Sequence, residues 1–312
     1  MKLKDIIFEQ EQKPKAVLLA GGAGAGKSYL LDQLKLDTLP LMNPDKYVED
    51  PDSKMYGNLA AASAQTAKDV EAAADAKQSF VYDTTASNPE KVRELLSKGY
   101  DVYMIMVYTH PMISFIANFS RERRIPKAAV FSTWKRVYKL IDDYRRMLGD
   151  NFSLFVNTRE GKYDKETKAF NKAAETGARS VENYLKSFIE KNGGKEAFSS
   201  TFRKSFELPK EMQDKYQELI ANTTVPEDDE SAHKELKKDL QKYFEKYQAG
   251  SYGSSRLQDK FNSINKRREK LKANERKDLE DIASMLTNSN FQDLLQTSNV
   301  QKIDKKVQKF LA

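Results

Sequence analysis

Short apolar runs and helical stretches alternate along the first half of the chain. Five runs have the length and composition of buried strands: Ala16–Ala20, Leu39–Asn43, Ser79–Tyr82, Tyr100–Val107 and Asn151–Val156. The stretches between them are rich in alanine or carry apolar residues every three or four positions, which predicts the helices Asn58–Lys77, Glu90–Ser97, Pro111–Arg124 and Lys127–Leu148. Strands that alternate with such helices indicate βαβ units, so we predict an α/β fold with a parallel sheet flanked by helices.

The second half of the chain has helical spacing and no strand-like runs. The predicted helices there are Thr167–Lys191, Glu207–Ala221, Ala232–Gln248 and Leu257–Leu286, and the last has a packing face that includes Leu279, Ile282 and Leu286. Because single cores seldom exceed about 250 residues, a chain of 312 residues should hold two parts. We predict an α/β domain over 1–192 and an all-α C-terminal region over 193–312, with a flexible break near 249–255.

Composition narrows the class of protein. The 53 Lys and Arg residues outnumber the 46 Asp and Glu residues, and the formal charge of +7 favours anionic partners. Cysteine is absent, which excludes disulfides, thiolate zinc sites and cysteine nucleophiles. His110 and His233 are too far apart in sequence to suggest a metal pair, so we expect His110 to be structural. The apolar runs are shorter than a membrane span and the charged start is unlike a secretory signal. We therefore expect a cytoplasmic protein with no membrane partner.

A glycine-rich loop follows the first predicted strand and precedes a helical stretch. Its residues are Gly21, Gly22, Ala23, Gly24, Ala25, Gly26, Lys27 and Ser28. This is a complete G-x-x-x-x-G-K-S loop, in which backbone N–H groups surround phosphate oxygens, the lysine reaches the β- and γ-phosphates, and the serine hydroxyl ligates Mg²⁺. The sequence therefore predicts a nucleoside triphosphate site with ATP and Mg²⁺ as cofactors.

Two carboxylates follow predicted strands and should reach the same edge of a parallel sheet as this loop. Asp45 comes just after the second strand, where a carboxylate can accept a proton from an attacking hydroxyl. The alternative for Asp45 is ordinary turn or helix-cap chemistry. Asp83 comes at the end of the third strand and is suited to the metal, with Thr84 and Thr85 beside it. Its alternative as a helix cap is weaker, since Asn88 or Ser87 is better placed to cap the next helix.

Arginines cluster at Ser120–Pro126. Arg121 and Arg124 are three residues apart, could share a helix face, and could stabilise charge on a transferring phosphoryl group. The alternative is a solvated basic helix end, which the helix dipole also favours.

The residues of 15–157 resemble the zeta-toxin-like branch of P-loop kinases. The pieces that carry the resemblance are Gly21–Ser28, Met42–Tyr47, Val81–Thr85 with Ser87–Val92, Val102–Val107, Arg121–Pro126 and Val130–Arg136. The resemblance implies a P-loop kinase fold and ATP-dependent phosphorylation of a hydroxyl group, for which we expect a small acceptor such as a nucleotide sugar or nucleoside. It also implies that Asp45 is the catalytic base, that Asp83 is the second acid near the substrate, and that Arg121 and Arg124 clamp the phosphates.

Two other functions remain open. Polynucleotide 5′-hydroxyl kinases are relatives of this family, and the stretch 256–277 holds nine basic and three acidic residues that could follow a nucleic-acid backbone. Alternatively, the kinase fold could be a nucleotide-gated scaffold whose C-terminal helices bind a protein partner. Intact Lys27, Ser28, Asp45 and Asp83 argue against an inactive site.

Overall fold

The computed structural model describes residues 13–56, 58–121, 124–198, 254–295 and 300–311. The helices predicted at 207–221 and 232–248 lie outside these residues, as does the predicted break near 249–255 except for its last two residues, which begin a helix. None of the helices in the described ranges combines the length and apolar character needed to cross a bilayer.

The described residues form a five-stranded parallel sheet. Its strands are β1 Lys15–Ala20, β2 Leu41–Met42, β3 Phe80–Thr84, β4 Asp101–Tyr108 and β5 Phe152–Val156, in the order β2-β3-β1-β4-β5. The central strands β1 and β4 are buried almost throughout, as expected for a parallel sheet with both faces covered. The predicted α/β fold with a parallel sheet flanked by helices is confirmed, with each strand displaced by only a few residues from its predicted run.

Thirteen α-helices are defined within the described residues. They are α1 Lys27–Gln33, α2 Asp45–Val48, α3 Leu59–Asp75, α4 Glu90–Ser97, α5 Pro111–Phe119, α6 Lys127–Tyr138, α7 Ile141–Leu148, α8 Asp164–Thr176, α9 Ala178–Lys191, α10 Gly194–Ala197, α11 Ser254–Thr287, α12 Ser289–Leu294 and α13 Val300–Leu311. The single helix predicted over 127–148 is two helices, α6 and α7. The one predicted over 167–191 is also two, because Gly177 between α8 and α9 has φ 116° and ψ 175°, which no helix contains.

The chain divides into two compact units that are discontinuous in sequence. The first contains the described residues of 1–109, 136–158 and 295–312, and the second those of 110–135 and 159–294. The prediction of separate parts over 1–192 and 193–312 is a sequential division, and it stays a prediction about which segments fold on their own.

The last helix, α13, belongs to the core of the first unit. Ile303 and Val307 are fully buried in a cluster that includes Leu30 of α1 and residues of β1, β3 and β4. The Phe310 ring lies 5.3 Å from the Tyr103 ring, between centroids. The Lys15 Nζ donates a hydrogen bond to the Leu311 carbonyl oxygen at 2.7 Å. The last turn of α13 therefore packs against the sheet that carries the glycine-rich loop Gly21–Ser28, which we call the phosphate loop.

The second unit has a helical core of aromatic side chains. Phe115 stacks on Phe131 at 5.6 Å between ring centroids, and Phe131 lies 6.2 Å from Phe170. Helix α11 adds the predicted apolar stripe, because Leu279, Ile282 and Leu286 are buried. Ion pairs flank this stripe: Lys135 with Asp278 and Asp281, Lys127 with Glu275, and Arg276 with Glu182. The packed face predicted for this part of the helix is confirmed.

Candidate active site

The phosphate loop connects β1 to α1 and lies against the ends of β4 and β5. Gly21 has φ 149°, and a Cβ there would lie 2.7 Å from the Val107 carbonyl oxygen. Gly26 has φ 98°, and a Cβ there would collide with the Asn157 Nδ2. Backbone conformation and lack of space therefore both require glycine at these two positions. The loop closes internally through the Ala25 N–H, which donates to the Gly22 carbonyl oxygen at 3.2 Å.

Lys27 and Asp83 lie together at the end of this loop. The Lys27 Nζ donates to the Gly21 carbonyl oxygen at 3.1 Å and lies 3.6 Å from Asp83 Oδ1. Leu19 of β1 pairs with Asp83 of β3, so the parallel register places the carboxylate beside the strand that leads into the loop. The two side chains are only 17% and 12% exposed, so solvent screens the pair less than it screens a surface pair.

Asn43 connects Asp83 to the backbone of Asp45. Its Nδ2 donates to Asp83 Oδ2 at 3.3 Å, and its Oδ1 accepts from the Asp45 N–H at 2.8 Å. The Asn43 side chain thus forms a turn that leads into α2. Similarly, Asn88 Oδ1 accepts from the Glu90 N–H at 3.0 Å in the turn that leads into α4. Asn43 was not among the predicted site residues, although its place directly after β2 pointed to this edge.

A second pair of contacts fixes α2, the short helix that begins at Asp45. The Tyr47 hydroxyl donates to Asp69 Oδ2 of α3 at 2.5 Å, and Gln65 Nε2 donates to Asp69 Oδ1 at 2.9 Å. The hydrogen bond to Asp69 is the main reason that the pKa of Tyr47 is raised above 10. The start of α2, and with it Asp45, is therefore tied to β3 by Asn43 and to α3 by Tyr47.

The predicted magnesium ligands supply the right kind of donor atoms. Ser28 is exposed in the first turn of α1, and Asp83 is on the adjacent strand. A hydroxyl and a carboxylate suit Mg²⁺, which usually takes one or two protein oxygens together with phosphate oxygens and water. Within the described part of the chain, no three His, Cys, Asp or Glu side chains form a metal cage.

Two residues outside the predicted site, Tyr138 and Asn157, hold the loop from the side of β4 and β5. The Asn157 Nδ2 donates to the Ala25 carbonyl oxygen at 2.8 Å. The Tyr138 hydroxyl donates to the Val107 carbonyl oxygen at 2.7 Å and lies 3.5 Å from the Gly22 nitrogen. Burial raises the pKa of Tyr138 far above 10, so this hydroxyl keeps its proton. The position of Asn157 directly after β5 was the only sequence signal for either contact.

Arg121 and Arg124 belong to the second unit, beyond the end of α5. The expectation that they share a helix face is wrong, because α5 ends at Phe119 and the chain turns back on the Asn118 side chain. That side chain donates to the Ile125 carbonyl oxygen at 2.9 Å and accepts from the Ile125 N–H at 3.2 Å. The Arg124 Nη1 donates to the Ala197 carbonyl oxygen at 2.7 Å, and Arg121 is exposed. A phosphate-clamping role for these arginines stays a prediction.

His110 is the N-cap of α5, in keeping with the structural role expected for it. Its Nδ1 accepts from the Met112 N–H at 3.2 Å, which leaves the proton on Nε2 to be donated to Asn171 Oδ1 at 2.7 Å. Burial lowers the pKa of His110 to about 4. The neutral tautomer therefore serves as a helix cap.

Comparison with known protein families finds a match in the N-terminal part of the chain. Residues 2–130 match the family described as zeta toxin. The predicted resemblance is confirmed over this stretch. The matched stretch contains the phosphate loop, Asp45, Asp83 and Arg124. No curated protein matches the sequence.

Solved structures with a similar arrangement are distant. The AvrRxo1-ORF1:AvrRxo1-ORF2 complex, also crystallised with ATP, gives a TM-score of 0.39 at 17% identity, covering 48% of this chain and 56% of that one. A structure of the PezAT toxin–antitoxin system of Streptococcus pneumoniae gives a TM-score of 0.35 at 16% identity, and the match covers 56% of this chain and 87% of that one. A putative kinase from Chloroflexus aurantiacus gives a TM-score of 0.35 at 15% identity, and the match covers 50% of this chain and 96% of that one. This chain thus spans about half the length of the AvrRxo1 chain, and these likenesses are too low to assign an activity.

Proposed function

We propose that this protein is a phosphotransferase that uses ATP and Mg²⁺ to phosphorylate a hydroxyl group of a small molecule, such as a nucleotide sugar or a nucleoside. The observation that carries the proposal is the phosphate loop with Lys27 at its end and the Asp83 carboxylate 3.6 Å from the lysine nitrogen. An N–H-lined loop, a lysine and an acid are the groups that phosphoryl transfer uses for positioning and charge stabilisation. The match to zeta toxins supports the same class of reaction.

Lys27, Ser28 and Asp83 are proposed to act on the nucleotide. Lys27 places a positive charge at the β- and γ-phosphates, where negative charge shifts during transfer. Ser28 and Asp83 would hold Mg²⁺, which supplies further charge neutralisation when bound. Asn43 keeps Asp83 oriented by donating to the oxygen that is not facing Lys27.

Asp45 is proposed to act on the acceptor. It begins α2 just beyond β2, whose register with β3 brings the two strand ends together. As base it would take the proton of the acceptor hydroxyl while the hydroxyl oxygen bonds to the γ-phosphorus. The bond from that phosphorus to the β,γ-bridging oxygen breaks, and ADP leaves with the electron pair. Arg121 and Arg124 keep their proposed role in stabilising the transferring group.

A nucleic-acid acceptor is the second candidate. The observation that favours it is the exposure of Lys266, Lys270 and Lys272 on α11, within the basic stretch 256–277. A polynucleotide 5′-hydroxyl kinase would bind its substrate with a steep dependence on salt, because phosphate contacts release counterions. A nucleotide-gated scaffold with a protein partner on its C-terminal helices would bind ATP and transfer nothing. The cytoplasmic location likewise stays a proposal.

The test is incubation of the full chain with γ-³²P-labelled ATP and Mg²⁺ in the presence of sugar nucleotides, nucleosides or 5′-hydroxyl oligonucleotides. Label on one of the small acceptors, absent with Lys27→Ala, supports the proposal. Label only on oligonucleotides selects the second candidate. ATP binding with no labelled product in any arm, under conditions where a known kinase labels its own acceptor, counts against the kinase proposal and favours the scaffold.

A further inference from the structure

Asn157 is held rigidly at the end of β5 by its own backbone. Its N–H donates to the Tyr108 carbonyl oxygen at 2.8 Å, which extends the pairing of β5 with β4 by one residue. Its carbonyl oxygen accepts from the Thr109 Oγ1 at 2.9 Å. Because both backbone groups of Asn157 are hydrogen-bonded to residues at the end of β4, its side chain starts from a fixed position beside the phosphate loop.

The side chain of Asn157 orients one peptide of that loop. Its Nδ2 donates to the Ala25 carbonyl oxygen at 2.8 Å. A trans peptide is planar, with its C=O and N–H on opposite sides, so this bond turns the Gly26 N–H away from Asn157. Gly26, at φ 98°, has no side chain that would prevent the peptide from rotating. The bond from Asn157 is therefore the contact that selects one of two peptide directions.

We propose that Asn157 is a positioning residue for the triphosphate, acting through the Gly26 N–H. The inference rests on the proposed function, in which this loop binds ATP. In the observed direction the Gly26 N–H belongs to the set of donors available to phosphate oxygens. If the peptide flipped, the Ala25 carbonyl oxygen would face the phosphates in its place and repel them. Asn157 thus acts on nucleotide affinity without touching the nucleotide.

A role in loop stability alone would have a different signature. Loss of a purely structural bond lowers the melting temperature and weakens all nucleotides alike, because it acts on the folded fraction. Loss of an oriented N–H weakens only those ligands whose β- and γ-phosphates occupy the loop. The affinities for ATP, ADP and AMP therefore separate the two roles.

The experiment compares Asn157→Leu with the wild-type chain by calorimetric titration of ATP, ADP and AMP. Leucine has nearly the shape of asparagine but cannot donate to Ala25. The matched control is Asn192→Leu, which removes a similar bond from an asparagine Nδ2 to the Phe188 carbonyl oxygen, 2.8 Å long, at the end of α9. We expect ATP and ADP to bind about tenfold more weakly to Asn157→Leu, the value of a hydrogen bond to a charged group, with AMP changed less than twofold. The control should bind all three as the wild type does.

Equal weakening of all three nucleotides, or none, overturns the inference while leaving the kinase proposal standing. A wild-type chain that binds no ATP overturns both. If Asn157→Leu does not fold, as judged by circular dichroism, Asn157→Ser replaces it, because a serine hydroxyl is too short to reach Ala25 but disturbs the packing less. The losses of affinity for ATP, ADP and AMP caused by Asn157→Ser are then compared in the same way.

Discussion

The Lys27 ammonium lies 3.6 Å from the Asp83 carboxylate, and Asn43 donates to the other oxygen of that carboxylate. If the lysine is removed, the Asp83 carboxylate therefore still accepts the hydrogen bond from Asn43. For this reason Lys27→Ala should keep the fold and a melting temperature close to that of the wild type while ATP turnover is abolished. Lys68→Ala, on the exposed surface of α3, is the control. Near-normal turnover by Lys27→Ala would rule out the kinase mechanism.

Asp45→Asn should separate binding from chemistry. We expect Mg·ATP affinity within about twofold of the wild type and a transfer rate lower by roughly 10²–10⁴, the usual contribution of a positioned general base. Asp32→Asn on the exposed part of α1 provides the control for loss of one negative charge. If Asp45→Asn loses Mg·ATP affinity instead, Asp45 belongs to the metal site and Asp83 is the better candidate for the base.

Arg121→Ala and Arg124→Ala should lower the maximal transfer rate more than they weaken ATP binding. Charge contributed to the transferring phosphoryl group matters most in the transition state. Arg124→Ala should also lower the melting temperature slightly, since it loses the bond to Ala197. Arg146→Ala on α7, which breaks only an exposed pair with Asp143, is the comparison. Parallel losses in rate and affinity would make these arginines nucleotide anchors.

His110 should make stability depend on pH in the acid range. Burial lowers its pKa from the ordinary 6.5 to about 4, so below pH 6.5 the unfolded chain binds a proton that the folded chain does not. Its contribution to stability is complete above pH 6.5 and is lost progressively as the pH falls towards 4. Urea unfolding between pH 7 and 4.5 measures this loss. His110→Asn keeps a cap acceptor and should flatten the dependence.

The last helix should be required for the stability of the phosphate-loop unit. Ile303→Ala and Val307→Ala each create a cavity in the core shared with β1 and α1, and the isoleucine change should cost about 2–5 kcal/mol. Lys305→Ala, on the exposed face of α13, should cost far less. A chain that ends at 194 lacks α13 and should fail to unfold cooperatively, whereas the sequential division at 192 predicts that it folds. Denaturant unfolding of the full chain and of the chain that ends at 194 distinguishes these two expectations.

The sequence was sufficient for the parts of the fold that depend on local patterns. Buried strands such as β4 are continuous apolar runs, and helix α4 has the bounds that its spacing predicts. The phosphate loop is a contiguous motif whose geometry follows from its glycines. Asp83 could be found because the carboxyl ends of parallel strands meet at one edge of a sheet. Roles for Asp45, Arg121 and Arg124 followed from their positions and chemistry together with the family resemblance, and they stay predictions.

Contacts between distant segments were decided only by the tertiary structure. Asn157 is 132 positions from Ala25, and the apolar stripe of α13 does not say which surface it covers. Helical periodicity shows that a face is buried but not which partner buries it. A side-chain amide after a strand likewise has many possible acceptors until the neighbouring strand is placed. The sequence by itself therefore determined the strands, the loop and the chemistry of the loop. Packing decided which residues support them, namely Asn43, Tyr138, Asn157 and the residues of α13, because these contacts exist only when the sheet is assembled.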